Sequence, residues 1–306
     1  LSLGVTKRLG SRGLVRADFV YREAADFYAT KVDTTTGTAS GTLEGTTRTF
    51  DKQLIVNQSI DQREYTGMTL SASFRPLDGL NLQGNWTWSR LRGTFDGETS
   101  ANGPIRSNLL FYPEYSSYAQ YAPVGDLGSD QRHKVRFWAI YDLPFDIRWF
   151  SSSVSLLQNY DTGTPYGAVG TVDSRPYVTN PGYLTPPASS TYYYTARDAY
   201  RTEDVWRTDL SLNLSFRLWS SLELYVQPQV TNLFNQQAVV TPNASIETRV
   251  SQGTAYAAFN PFTETPTQGA RNTGANWNTG PLFGQPTGAT SYQTPRTFRF
   301  SVGLRF

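Results

Sequence analysis

The chain contains no cysteine in its 306 residues and a single histidine, His133. A disulfide framework and a thiolate metal site therefore cannot be built from it. A metal or catalytic centre that needs several histidines is disfavoured for the same reason. The sequence also lacks any run of about 18 apolar residues, which is the length that a transmembrane helix requires.

Charge of either sign is sparse. The 27 Lys and Arg residues nearly balance the 25 Asp and Glu residues, which leaves a formal net charge of +2 and no long basic run. This balance disfavours nucleic acid as a partner. Phosphate-binding loops, dinucleotide motifs and EF-hand loops are absent from the sequence, and we expect no cofactor.

Aromatic residues are abundant, and many segments alternate between apolar and polar residues as β-strands do. Tyr, Phe and Trp make up 14% of the chain. The final stretch, TFRFSVGLRF, has an apolar residue at every second position, and about nine segments along the chain share this period of two. That period is typical of β-strands with one apolar and one polar face, so the sequence predicts an all-β fold.

The segments between the predicted strands alternate strictly between short and long. Short connections are rich in turn residues, as in RPLDG at 75–79, and they predict hairpins. The long connections are rich in Gly, Pro, Thr, Asn and Tyr, and they cover roughly 31–50, 96–129, 165–200 and 239–294. Unequal loops of this kind are typical of an antiparallel barrel whose two ends differ.

Alternation alone also fits a soluble β-sandwich or propeller, and three features favour a transmembrane barrel. Charges and amides occupy the polar side near strand centres, Trp residues gather near strand ends, and short turns alternate with long loops. Because a sheet in lipid must satisfy every backbone group, it has to close. We therefore predict an antiparallel transmembrane β-barrel with short periplasmic turns and long extracellular loops.

The loop pattern predicts the direction of the strands. The last strand ends on the short-turn side, so the C-terminus is expected in the periplasm. About nine strands is an odd number, whereas a complete single-chain barrel of this kind has an even number. We therefore hypothesise that earlier strands of the barrel lie outside this chain.

Three stretches carry a family resemblance. YVQPQVTNLFNQQ (225–237), preceded by the R-x-D-L-S-L stretch at Arg207–Leu212, resembles the penultimate strands of TonB-dependent outer-membrane receptors. DQRHKVRFWAIYDLP (130–144) resembles their D-x-R-H strand. The pattern over residues 259–306 is similar to the Oar-like subgroup, and the terminal Phe after alternating apolar residues resembles the outer-membrane assembly signal.

The resemblance implies a 22-stranded barrel with an N-terminal plug, energised through TonB by the inner-membrane proton gradient. Residues 1–306 would form the C-terminal portion of that barrel, with the plug and TonB box absent from this chain. The implied location is the outer membrane of a Gram-negative bacterium. The implied partners are outer-membrane lipid, the barrel-assembly machinery, TonB through the absent N-terminal region, and a substrate whose identity stays open.

Two rival functions remain open at this stage. A passive porin-like or structural surface barrel would lack the TonB box and plug. A soluble β carbohydrate-binding module would stay in the aqueous phase when partitioned against detergent. We expect no enzymatic activity; His133 is interpreted as structural, and the enzyme-class rival is a Ser/His/Asp arrangement, for which no G-x-S-x-G stretch occurs.

The candidate site residues fall into three groups. The predicted assembly signal consists of Phe298, Phe300, Val302, Leu304 and Phe306. Candidate contacts to the lumen or the plug, with plug binding favoured, are Arg207, Asp209, Arg217, Glu223 and Gln227. A candidate extracellular ligand loop contains Tyr192, Tyr193 and Tyr194, for which packing between loops is the competing interpretation.

Overall fold

The computed structural model describes residues 1–34, 37–95, 105–111, 120, 123–145, 147–179, 182–184, 188–219 and 222–306. Within these ranges the chain is built almost entirely from antiparallel strands, so the predicted all-β antiparallel fold is confirmed. None of the described helices is long and apolar enough to cross a membrane. They comprise one short α-helix, Arg249–Gln252, and the 3-10 turns Arg175–Tyr177, Gly253–Ala255 and Ala289–Ser291.

Nine long strands form the main sheet, and each pairs with the strand that follows it in this series. Among the described residues, the first and the last of them each pair with one neighbour only. In chain order they are β1 Ser2–Leu9, β2 Gly13–Ala24, β3 Arg63–Leu77, β4 Leu80–Gly93, β5 His133–Asp142, β6 Phe150–Asp161, β7 Val205–Arg217, β8 Glu223–Thr231 and β9 Thr297–Arg305.

The hydrogen-bond register joins the apolar sides of these strands into one continuous face. Phe298 of β9 lies opposite Val230 of β8, and Val302 lies opposite Val226. The same alignment runs through the other strand pairs to β1, where Leu3 lies opposite Phe19. A shift of one residue in any pair would have moved that strand's apolar side chains to the opposite face. The apolar face therefore extends across all nine strands.

The apolar face is exposed rather than covered by a second layer. Phe300 in the middle of β9 is 67% exposed, and the terminal Phe306 is 96% exposed. The rest of the predicted assembly signal, Phe298, Val302 and Leu304, is also exposed on this face. In a soluble protein such a face would be packed against another element, because burial of apolar area is the main source of stability.

The opposite face is polar along most of its length. Ser, Asn, Gln, Arg and Asp side chains follow one another across strand pairs, as where Arg136 lies opposite Asn159 and Asn159 lies opposite Arg207. Trp138 of β5 is an apolar exception. A side chain at Gly303 of β9 would have to displace the Tyr225 ring of β8, which lies over it.

The two ends of the sheet differ as the sequence predicts. Short connections at one end, which we call the turn end, separate β1 from β2, β3 from β4, β5 from β6 and β7 from β8. Aromatic side chains gather there: the Phe150 and Phe216 ring centroids lie 5.1 Å apart, and Trp149 stacks on Phe216 at 6.2 Å. Trp219, in the connection after β7, is exposed at the same end. Aromatic rings at this position are typical of a membrane interface.

The long connections, at 25–62, 94–132, 162–204 and 232–296, leave the opposite end, which we call the loop end. Their described residues fold into small sheets of their own, a feature that the sequence did not predict. Phe27–Val32 pairs with both Gln53–Gln58 and Ile105–Phe111, and Thr38–Leu43 pairs with Thr46–Asp51. The remaining pairs are Pro165–Tyr166 with Tyr200–Arg201, Val169–Val172 with Ser190–Tyr193, Ile246–Thr248 with Trp277–Thr279, and Gly125–Asp126 with the end of β4.

The connections at the loop end share a hydrophobic core. Val32 comes from the first connection, Val172, Tyr183 and Tyr192 from the third, and Phe259 from the fourth. The core joins three segments that are far apart in the sequence. The first, third and fourth connections therefore pack together as a cap at the loop end rather than projecting separately.

Candidate functional site

The D-x-R-H stretch organises ionic contacts at the loop end. Asp130 is 1% exposed, and its Oδ2 accepts a hydrogen bond from Arg201 Nη2 at 2.8 Å. Asp126 accepts hydrogen bonds from Arg90 at 2.9 Å, from Arg132 at 2.7 Å and from Arg201 at 3.0 Å. A buried carboxylate is stable only when it is paired and hydrogen-bonded, and here three guanidinium groups meet two carboxylates. We call these five residues the Asp126–Asp130 cluster.

The Asp126–Asp130 cluster connects segments that are far apart in the sequence. Asp130 Oδ1 accepts a hydrogen bond from the Leu91 backbone N–H at 2.7 Å, which fastens the second connection to β4. Asp198 of the third connection accepts one from the Asp126 backbone N–H at 2.8 Å. The motif at 130–133 therefore anchors two long connections to the edge of the sheet.

The N-L-F-N stretch has a comparable structural role at the end of β8. Asn232 is fully buried and has a positive φ of 54°, which ends the strand. Its Nδ2 donates to the carbonyls of Gln236 at 2.9 Å and Thr294 at 3.0 Å, and its Oδ1 accepts from the Gln236 N–H at 2.9 Å. Asp209 of β7 accepts from the Asn232 backbone N–H at 2.9 Å. The motif thus fixes the start of the fourth connection and the approach to β9.

Replacement of Asn232 by alanine is expected to destabilise this corner by about 2–4 kcal/mol. The change removes three buried hydrogen bonds and places alanine at a positive φ that asparagine and glycine tolerate better. Hydrogen exchange of the backbone amides near 232–236 measures the effect. Asn232→Gly keeps the backbone conformation but loses the side-chain bonds, so it should fall between wild type and Asn232→Ala. Equal protection in all three proteins would contradict the assignment.

His133 lies at the loop end of β5, on the apolar face. Its Nδ1 accepts a hydrogen bond from the Trp86 indole N–H at 3.2 Å, and the two rings stack 5.9 Å apart at an angle of 13°. Within the described ranges, no three His, Cys, Asp or Glu side chains come together to hold a metal ion. The contacts of His133 are therefore those of an aromatic packing position.

The three candidate tyrosines have different surroundings. Tyr192 is 2% exposed in the loop core, where its ring lies 5.5 Å from that of Phe259. Tyr193 lies beneath the Arg197 guanidinium, 5.5 Å from the ring centroid. Tyr194 donates its hydroxyl to the carbonyl of Thr171 at 3.1 Å. Tyr194 also lines a cavity between two of the long connections. A ligand role for the whole tyrosine stretch stays a prediction.

The cavity beside Tyr194 lies between the third and fourth connections. It has a volume of about 340 Å³, and it is lined chiefly by Val172, Asp173, Arg175, Tyr194, Arg249 and Phe259. Burial, and then the neighbouring Tyr192, raises the pKa of the Tyr194 phenol, so the Tyr194 hydroxyl is uncharged at neutral pH. We call this space the loop cavity. Its size and its mixed apolar and polar walls are typical of small-molecule sites.

Sequence reasoning did not identify Arg249 or Phe259. The two residues lie in the fourth connection, whereas Tyr194 and Val172 lie in the third, and the packing of the loops brings them together. Arg249 belongs to no motif or periodic segment. Phe259 is the first residue of the 259–306 pattern, which predicted a family resemblance and not a cavity. The only signal in the sequence was the density of aromatic residues in both connections.

The candidate lumen residues all lie on the polar face. Arg207 and Asp209 form an ion pair at 3.1 Å within β7. Because Asp209 also accepts from Asn232, its charge is already satisfied within this chain. Arg217 lies opposite Glu223 in the register of β7 and β8.

The other two candidates also have partners within this chain. Glu223 is 3.3 Å from Arg305 of β9, and Gln227 Nε2 lies 3.5 Å from the Ser211 hydroxyl. These contacts brace neighbouring strands on the polar face. Plug contact by the five candidate residues stays a prediction.

The stability of the fourth connection is expected to depend on pH through the carboxylate of Glu247. Hydrogen bonds from Arg271, and then from Tyr256, lower the pKa of Glu247. A lowered pKa in the folded state contributes stability above the unfolded pKa of about 4.3, and this contribution is lost as the pH falls through the lowered value.

We therefore expect hydrogen exchange in the pair Ile246–Thr248 and Trp277–Thr279 to depend on this carboxylate. At pH about 7, Glu247→Gln should exchange faster than wild type, because it loses the ion pair with Arg271. Once the pH lies below the lowered pKa of Glu247, the two proteins should converge. A difference that stays constant with pH would show that Glu247 does not act through its charge.

Neither a protein-family model nor a curated protein matches this sequence. Among solved structures, the chain is similar to the outer membrane transporter YddB from Escherichia coli, with 13% sequence identity and a TM-score of 0.49 over 99% of this chain and 31% of that chain. It is also similar to the ferripyoverdine receptor of the Pseudomonas aeruginosa outer membrane bound to ferripyoverdine, with 10% identity and a TM-score of 0.42 over 99% of this chain and 26% of that chain. The chain spans less than a third of the length of each.

Proposed function

We propose that this chain is part of a transmembrane β-barrel in the outer membrane of a Gram-negative bacterium. One observation carries the proposal: nine strands present a continuous, exposed apolar face, while the opposite face carries charges and amides. The apolar face would contact lipid, and the polar face would contact a hydrated or plugged lumen. The aromatic side chains at the turn end would lie at the periplasmic interface.

The direction of the strands supports a barrel with more strands than these nine. β1 and β9 both run from the loop end to the turn end, so they are parallel to each other. A ring in which every neighbour is antiparallel can include both only if an odd number of further strands lies between them. Two copies of this chain related by rotation about the barrel axis would meet at parallel junctions. The further strands therefore belong, in our proposal, to the same polypeptide, of which residues 1–306 are the C-terminal barrel portion.

The function we propose is that of a TonB-dependent receptor or transporter. It is supported by the motifs at 130–133, 207–212 and 232–235, which are held by hydrogen bonds towards the loop end. The pattern over 259–306 supports the narrower Oar-like assignment. The proposed partners are TonB through a segment outside this chain, a plug on the polar face, the barrel-assembly machinery and a substrate captured from outside. We propose no enzymatic activity for this chain.

Cell fractionation followed by TonB binding tests the proposal. The protein produced from its complete gene should sediment with outer membranes, shift its electrophoretic mobility on heating, and bind the purified periplasmic domain of TonB. A passive porin or structural barrel would give the first two results without TonB binding. Recovery in the aqueous phase would favour a soluble carbohydrate-binding module and would overturn the proposal.

A further inference from the structure

The walls of the loop cavity differ in chemistry between floor and rim. Its floor contains the buried side chains of Val172 and Phe259 together with the half-buried ring of Tyr194. The rim carries Arg175 and Arg249. The floor can therefore accept a flat apolar group, and the rim can accept a charged one.

The two rim arginines are not equivalent. Arg175 forms a two-pronged pair with Asp173, Nε to Oδ1 at 2.9 Å and Nη2 to Oδ2 at 2.7 Å, so its charge is neutralised within the cavity wall. Arg249 donates one Nη1 hydrogen bond to the Tyr256 carbonyl at 3.2 Å. Within the described part of the chain it has no carboxylate partner. One positive charge at the rim is therefore available to a ligand.

We propose that the loop cavity binds a compact monoanionic ligand that carries an aromatic ring beside a carboxylate. The ring would lie against Tyr194 and Phe259, and the carboxylate would accept hydrogen bonds from the Arg249 guanidinium. An arginine presents its donors in a planar fork that matches a carboxylate, and aromatic walls favour a planar ring. This inference names a ligand class for the proposed receptor, but the binding reaction itself requires only folded protein.

Calorimetric titration with a matched pair of probes tests the inference. The complete protein is titrated with 3-phenylpropionate and with 3-phenylpropionamide, which share the ring and differ in charge. The acid is expected to bind once per chain, about tenfold more tightly than the amide, because charge-assisted hydrogen bonds are stronger than neutral ones. Arg249→Gln should remove this preference while the amide affinity stays unchanged.

Two further variants separate the cavity from other surfaces. Ala258 lies on the exposed rim, so Ala258→Trp should block both probes without removing a core contact. Arg48→Gln removes an exposed arginine from the Thr46–Asp51 strand, which does not line the cavity, and it should bind like wild type. The inference is overturned if neither probe binds at about 10 mM, if the acid and the amide bind alike, or if Arg249→Gln still prefers the acid. Membrane fractionation is independent of these results, so failure here leaves the barrel proposal intact.

Discussion

Arginine in place of Phe300 is expected to lower the free energy of unfolding of the membrane-inserted protein by about 2–4 kcal/mol. Phe300 lies in the middle of β9 on the exposed apolar face, opposite Pro228. An arginine near the centre of the lipid-facing band of a barrel must be transferred from water into hydrocarbon, and the cost is greatest at the midplane. Urea unfolding of the complete protein in lipid vesicles measures the change.

The neighbouring residue supplies the control for Phe300. Ser301 lies one position further along the same strand, on the polar face, where its register partner is Gln227. Ser301→Arg places the same charge at nearly the same depth but facing the lumen, and we expect a change below about 1 kcal/mol. If the two arginine variants unfold at the same urea concentration, the apolar face does not contact lipid.

Alanine in place of Asp130 is expected to destabilise the loop end by about 2–4 kcal/mol. The change leaves the Leu91 N–H without its acceptor, and it leaves Arg201 with one carboxylate fewer in a site that excludes most water. The loss of stability should be confined to the loop end. Hydrogen exchange should accelerate at the loop end of β4 and in the adjoining connection, whereas the centre of β9 should keep its protection.

The matched control for Asp130 is an aspartate on the turn end. Asp78 is fully exposed and lies 3.8 Å from Arg12, and exposed pairs of this kind contribute little. Asp78→Ala should therefore change protection by less than about 0.5 kcal/mol. Equal effects of the two substitutions would show that the Asp126–Asp130 cluster does not anchor the connections.

The main sheet could be predicted from the sequence because the alternation of apolar and polar residues is a local feature of each strand. The alternation in TFRFSVGLRF sets which residues of β9 share a face, and the short turns restrict how neighbouring strands can pair. The predicted apolar residues of β7, among them Leu210 and Leu214, accordingly lie opposite those of β8. His133 contacts Trp86, and its interpretation as a structural residue stays a prediction.

The cap at the loop end could not be predicted in the same way. Phe27–Val32 pairs with Gln53–Gln58 and with Ile105–Phe111, so its pairing depends on contacts between distant segments rather than on a periodic pattern. The loop cavity has the same origin, since Tyr194 and Arg249 meet only when two connections pack. The motifs that contain Asp130 and Asn232 can be recognised in the sequence, but their hydrogen-bond partners are visible only in the structure.

Accessibility of single cysteines along β9 tests most directly whether the apolar face contacts lipid. The chain contains no cysteine, so each cysteine introduced into it is the only one in this segment. Spin labels at positions 299, 300, 301 and 302 of the complete membrane-inserted protein can be probed with oxygen, which concentrates in lipid, and with a water-soluble nickel complex. We expect oxygen accessibility to alternate, with maxima at 300 and 302. Equal or greater nickel accessibility at 300 and 302 than at 299 and 301 would contradict a lipid-facing role for this face.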